Sequence, residues 1–450
     1  MESITKMPKY ESYKSSGIDS FDSLPSHWTI ARFHDVFGFS KGLNITKENL
    51  QDDGVSCINY GEIHSKYGFE LDPSVHQLKY VDVQYLSKNS KSLLKLGDFI
   101  FADTSEDFEG AGNFTYLKTD AQIFAGYHTL IARMKKERNA RYLAYVLESM
   151  GFRLQIRRAV KGVKVFSITQ NILKGTKVWF ADEIEQKLIV KYLDRKIELL
   201  DKAISIKVNQ VSLLKEYKQI IIQKVLMQGL DRSSPMKDSG VDWMGKIPKH
   251  WEVKRLKYVL EERSERSKTG EEPLFMMSQV HGLVVRADYH EKAEVAASKI
   301  DNKIVYENDL VFNKLKAHLG VFFKSAIPFR GLVSPDYAVY KCKSHIVDAK
   351  YLELLFRHPS YIEQFIIRAT GIVEGLIRLY TDDLFEIAVP VAPSEEQKEI
   401  LNHIDIKAKE IDQAIDVQQL QIDKLKEYKT SLINSVVTGK IKITPEMVED

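Results

Sequence analysis

The sequence predicts an α+β protein: two α+β domains separated by two long helices that pair as an antiparallel coiled coil, the whole built as a pseudo-two-fold internal repeat. Three observations predict it. Two groups of motifs occur twice at domain-scale spacing, two segments keep a heptad of apolar residues, and the stretches between them alternate strand-like runs with turn residues.

The repeat comes first. Ser16-Gly17-Ile18-Asp19 leads into Pro25-Ser26-His27-Trp28, and 223 residues later Ser239-Gly240-Val241-Asp242 leads into Pro248-Lys249-His250-Trp251. Eight of the 22 positions from Ser16 to Phe37 are identical in the second copy. Another set returns at an offset of 211: Glu185-Gln186-Lys187 with Glu396-Gln397-Lys398, and Lys215-Glu216-Tyr217-Lys218 with Lys426-Glu427-Tyr428-Lys429. The chain is a tandem duplication.

The second repeated segment has a countable period. Alternate steps of four and three from Leu193 reach Ile197, Leu200, Ile204, Lys207, Val211, Leu214, Lys218, Ile221 and Val225. The same steps from Ile404 reach Ala408, Ile411, Ile415, Gln418, Ile422, Leu425, Lys429, Leu432 and Val436. Eight of ten positions are apolar in each copy, the pattern of a coiled-coil seam. Each segment would make a rod of roughly 50 Å. The polar interruptions fall at the same two steps, and polar seam residues fix register. Antiparallel pairing is expected because one chain must run out along one helix, build a domain and return. The alternative is that each helix packs on its own domain or on another protein.

These features divide the chain into a first domain over 1–182, with its variable part at 38–182, and a central helix with linker over 183–231. A second domain follows over 232–393, variable from 261 to 393, then a C-terminal helix over 394–443 and a tail over 444–450. Gly97 to Ala102 and Asn308 to Phe312 read as strands, Tyr142 to Gln155 and Ala349 to Ile367 as amphipathic helices.

Composition excludes more than it establishes. The 450 residues are 44% hydrophobic, enough for two ordinary cores. Two distant cysteines, Cys57 and Cys342, supply neither a disulfide framework nor a four-ligand zinc site. With no apolar leader and no run of about 18 apolar residues, the expected compartment is the cytoplasm, with no membrane contact. A net charge of +3 is weak evidence about partners.

The ordered motifs, closing on Val436-Val437-Thr438-Gly439-Lys440-Ile441, resemble the specificity subunit of type I restriction-modification systems over essentially the full chain. The resemblance implies two target-recognition domains, each reading one half of a bipartite double-stranded DNA sequence, with the coiled coil as a ruler between them. It implies two modification (methyltransferase) subunits docked on the repeats and restriction (motor-nuclease) subunits added for cleavage. It also implies that this chain has no catalytic residue, metal or cofactor: S-adenosylmethionine, Mg2+ and ATP belong to the partners. Because the two variable segments differ, the two half-sites should differ.

Candidate DNA contacts follow from charge. Arg153, Arg157, Arg158, Lys161 and Lys164 cluster without an acidic residue, suited to phosphates or, for Arg, to guanine. The counterpart is Arg368 through Arg378, interrupted by Glu374. In the loop Asp103 to Gly110, Ser105 and Glu106 are candidates for base edges, since a carboxylate repels phosphate but accepts from cytosine N4; a solvated, self-capped turn is the equal alternative. Asn313 to His318 reads as an alternating strand end with Lys314, Lys316 and His318 on one face. Arg330 and Arg357-His358 are weaker candidates, and Tyr60, Glu62 and Lys66 form a further group in which Tyr60 reads as core. The repeated His27-Trp28 and His250-Trp251 read as structural, the indole filling space and the imidazole making a local hydrogen bond.

No phosphate loop, H-E-x-x-H or paired C-x-x-C occurs, and no Asn-Pro-Pro-Tyr or Asp-Pro-Pro-Tyr string. Pro335-Asp336 with Asp348-Ala349-Lys350 faintly resembles a metal-dependent nuclease centre. Two rivals therefore stand beside the favoured reading. A metal-dependent nuclease would cut DNA with magnesium and lose activity in Asp336→Ala; a coiled-coil scaffold would show no sequence preference.

Overall fold

The computed structural model describes residues 6–162, 164–289, 299–371 and 378–449, without the side chains of 317 and 318. The chain divides into two compact units, Met1–Lys207 with Leu420–Asp450, and Val208–Gln419.

In the first unit a five-stranded sheet runs in the order Phe37–Lys41, Thr129–Met134, Phe99–Ala102, Phe114–Leu117, Phe69–Leu71. Its pairs are antiparallel except the last, which is parallel. Phe99–Ala102 and Phe114–Leu117 are buried at every residue and read as unbroken apolar or aromatic runs with one Thr. The helices Ala140–Glu148 and Met150–Ala159 belong to one core with Phe99, Phe101 and Phe114. A smaller sheet, Ile123–Ala125, Val55–Ile58 and Lys79–Val81, lies beside a second core around Ile100 and Ile131.

The second unit has a four-stranded antiparallel sheet, Leu260–Glu262, Tyr337–Cys342, Leu310–Asn313 and Phe322–Lys324. Its core gathers the helices Ala349–Leu355 and Pro359–Arg368. Both units thus have strands that sequence patterning expects, at Phe99 and at Leu310. The strand leaves a buried aspartate in each case. Arg133 Nε donates to Asp98 at 2.8 Å, and Arg263 grips Asp309 with two bonds of 2.8 and 3.0 Å.

The long helices are Glu183–Gln228 and Ser394–Val437. Within the first unit Lys429 reaches Asp201 at 2.6 Å, and Lys207 donates to Gln421. Sequence number rises on one helix as it falls on the other, so the pairing there is antiparallel. Within the second unit Lys218 reaches Asp412 at 2.6 Å. Lys218 and Lys429 hold equivalent places in the duplication, as do Asp201 and Asp412, so the same cross-helix pair is built twice. Half-exposed pairs of this kind contribute under about 1 kcal/mol each and act on register more than on stability. Along the seam Leu193, Val211, Ile404, Ile411, Ile422, Leu425 and Leu432 are buried, and Ile197, Leu200, Ile204, Leu214 and Ile415 are partly buried. Residues between them are mostly exposed.

The repeated motifs meet at these helices. In the first unit the indole of Trp28 donates to Glu185 at 2.9 Å, and His27 Nε2 lies 3.0 Å from the same oxygen. In the second unit Trp251 donates to Glu396 at 2.9 Å and His250 lies at 2.7 Å. Gln186 and Gln397, one residue on, are buried, and each donates at 2.8 Å to a backbone carbonyl just before its helix. Each clamp also seats the far end of the other helix. Gly439 adopts φ +70° against Pro25 and Trp28, and Gly229 adopts φ +74° against Trp251 and Glu396. A Cβ at Gly439 would overlap the Pro25 ring. Glycine is required there on both counts.

His27, Asp182 and Glu185 place one ligand atom each within 4.8 Å of one another, the spacing of a metal site. Hydrogen bonds account for the group instead: Glu185 accepts from Trp28, His27 and Tyr10, and Asp182 accepts from Glu185 N at 2.9 Å. The other copy keeps the His–Glu–Trp contact with Pro393 in the place of Asp182. The residues named only as a tail carry a short helix, Glu446–Glu449, with Val448 buried in the first core. No described helix is long and apolar enough to cross a membrane.

Candidate nucleic-acid interface

In the first unit the chain leaves the buried strand Phe99–Ala102 and pairs Thr104–Ser105 with Phe166–Ser167. That pairing sets the acidic turn at 105–110 near the stretch that precedes Phe166 and carries Arg158, Lys161 and Lys164. Phe108 packs edge-on against Phe166 at 5.7 Å and ties them further. Across a cleft of about 500 Å³ stand Tyr60 and His64 of the helix Tyr60–Ser65, with Asn113. His64 Nε2 lies 2.8 Å from the Thr104 carbonyl, which can only accept, so its Nδ1 is left to accept from Asn113 Nδ2 at 2.9 Å.

The structure brings together groups the sequence reading treated separately, and it reassigns several. Arg157, expected on phosphate, is 7% exposed: it donates to the Glu109 carbonyl and pairs with the Glu109 carboxylate at 2.8 Å. Burial lowers its pKa below the ordinary guanidinium value, with the Glu109 charge opposing. Arg153 is likewise committed, to Asn113 at 2.6 Å and Glu148 at 2.7 Å. The reason is helical phase. Residues four apart share a face of the helix Met150–Ala159, and that face looks onto the loop, so Arg158 is left outside. Ser105, expected at a base edge, is buried and donates to the Asp107 carbonyl at 2.7 Å. Arg158, Lys161, Lys164, Glu106 and Lys66 are exposed. Glu62 caps its own helix through Asn59 N at 2.8 Å, and Tyr60 packs against Tyr127 and His128.

In the second unit the expected strand alternation over Asn313–His318 does not hold. The strand ends at Asn313, whose side chain accepts from Leu315 N at 3.0 Å, and a 3₁₀ segment Lys314–Leu319 follows. Lys314 is mostly buried, 3.6 Å from Glu262, while Lys316 is exposed. The His318 side chain and Glu374 lie outside the described residues. Leu379 N donates to the Lys314 carbonyl at 3.1 Å, and Thr370 and Arg378 exchange backbone bonds of 2.9 and 2.8 Å. These bonds bring the chain at Thr370 and Arg378 beside Lys314. Arg368 is turned onto Gln364 at 2.6 Å, Arg378 stands 4.0 Å from Asp336, and Arg330 is 3.4 Å from Glu272. Arg357 pairs with Glu353 and His358 caps the helix Pro359–Arg368, its pKa pushed down by burial. Asp348 pairs with Lys324 at 2.6 Å and Lys350 with Glu353, so the nuclease-like residues are engaged elsewhere.

Sequence reasoning missed His64, Asn113, Tyr127 and His128. Only His64 left a signal, four residues after Tyr60 on one helix face.

Comparison with known proteins gives this architecture a class. Residues 25–210 match the family model of the type I restriction modification DNA specificity domain. The MjaX type I restriction enzyme specificity subunit of Methanocaldococcus jannaschii is 24% identical over 97% of this chain and 98% of its own. The MjaVIII specificity subunit of the same organism is 22% identical over 64% of this chain and 67% of its own. A chain solved in work on complex assembly and conformational transition of the type I R-M system has a TM-score of 0.64, covering 93% of this chain and 99% of its own at 16% identity. With two α+β units, duplicated motifs and long helices, the class is a DNA sequence-specificity protein. Over nearly its full length the chain is similar to specificity subunits of type I restriction-modification systems, which supports a recognition role without catalysis or a cofactor of its own.

Proposed function

We propose that each unit reads one half of an asymmetric bipartite DNA target and that the paired long helices set the number of unread base pairs between the halves. The duplicated helix clamp carries this reading. The same Trp–Glu–His contact and the same Lys–Asp cross-helix pair are built twice, while the segments they support differ in sheet order and in surface residues. Identical frames with different faces are what a reader of two unlike half-sites needs. The repeats give two equivalent seats for two methyltransferase subunits, to which restriction subunits add, and the cytoplasm is where these partners and DNA meet. Arg158, Lys161, Lys164 and Lys66 in the first unit, and Lys316 with Arg378 in the second, supply phosphate contacts.

Exchange of residues 38–182 for the matching segment of another such subunit tests this. In complex with the methyltransferase partner, the hybrid is expected to methylate a sequence changed in one half only. Change in both halves, or in neither, contradicts the reading.

A further inference from the structure

Four carboxylates crowd the turn that leaves the central strand of the first unit, and three are committed. Asp103 accepts from Thr104 Oγ1 at 2.8 Å, Asp107 accepts from Gly110 N, and Glu109 pairs with Arg157. Glu106 is exposed and has no hydrogen-bond or ion-pair partner among the described residues. The neighbouring basic stretch shows the converse. Arg158, Lys161 and Lys164 are exposed without an ion pair among the described residues, whereas Arg157 is drawn inward to brace the acidic loop through Glu109 and Arg153 is held by Glu148 and Asn113.

A duplex lying on those free cations puts its phosphates there. A carboxylate on the same surface is repelled by phosphate and gains only from an N–H donor. In the major groove the base-edge donors are the amino groups of cytosine N4 and adenine N6. Bracing matters as well, because a loop ordered before binding loses less entropy on binding. Here Phe108 on Phe166, Ser105 on Asp107, and Arg157 on Glu109 supply it.

Building on the reading of this unit as one half-site reader, we propose that Glu106 is a specificity-determining residue. It accepts a hydrogen bond from the amino group of one cytosine or adenine, while Arg157 is a positioning residue that holds its loop through Glu109.

The test uses the complex with the methyltransferase partner and reads the methylated motif genome-wide for the wild type, Glu106→Ala and Arg157→Met. One position of one half-site, C or A in the wild type, is expected to lose roughly tenfold in discrimination in Glu106→Ala, with every other position kept. The wild-type base at that position tells cytosine from adenine. Arg157→Met is expected to relax the same position while the salt dependence of DNA binding keeps its slope. A slope lower by about one would make Arg157 a phosphate contact and remove its positioning role. An unchanged motif in Glu106→Ala, uniform weakening at all positions, or a change confined to the other half-site overturns the proposal. If the 38–182 exchange rewrites one half-site while Glu106→Ala changes nothing, the half-site reading stands and the assignment of Glu106 falls.

Discussion

Adding one heptad to each long helix at matched positions is expected to lengthen the unread gap in the target by about three base pairs and leave both half-sites as they were. Seven helical residues add about 10 Å of rod, and duplex DNA rises about 3.4 Å per base pair. The insertions belong between Lys207 and Val208 and between Gln419 and Leu420, because Lys207 of the first helix meets Gln421 of the second. A whole heptad keeps the apolar seam in phase, so Asp201–Lys429 and Lys218–Asp412 survive on either side. Insertion into one helix alone leaves its new seam residues without partners and is expected to abolish methylation. The motif of the methylated genome reports the gap in base pairs directly.

Removing either clamp carboxylate should give the largest loss of stability. Trp28 and Trp251 are fully buried, and each indole N–H has its partner in Glu185 or Glu396. Truncation to Ala leaves a buried donor unpaired and removes a charge-assisted bond, a cost of about 3 kcal/mol. Glu185→Ala should cost more than Glu396→Ala, because Glu185 also accepts from Tyr10, whose pKa is raised by burial and by that bond. The second copy has Ser233 at the place of Tyr10. His27→Ala should cost little, since that side chain is half exposed. Calorimetric unfolding of the three variants checks the order; equal losses for all three would contradict the clamp.

The repeat, the helical period and the class of fold were legible because duplication and heptad spacing are properties of sequence alone. The meeting of the clamp motifs was half legible. Pro-x-His-Trp and Glu-Gln-Lys each recurred, but their different offsets hid that tryptophan and glutamate touch. Arg153 and Arg157 were misjudged as surface cations because their exposure depends on which face of the helix Met150–Ala159 packs on the loop, a tertiary matter. Lys314 misled for a related reason: Asn313 caps its own chain and turns a strand into a 3₁₀ segment, so the alternation expected through His318 stops at Asn313. What the sequence did expose was composition, and Glu106, Lys161 and Lys164 stand out of the fold much as their charges suggest.

Genome-wide detection of methylated bases, in a host carrying this chain with its methyltransferase partner, bears most directly on the idea of two unlike reading units in one duplicated frame. The expected result is a single motif of two different short blocks separated by a constant number of unread base pairs. A palindromic motif, one continuous block, or blocks at variable separation would contradict it.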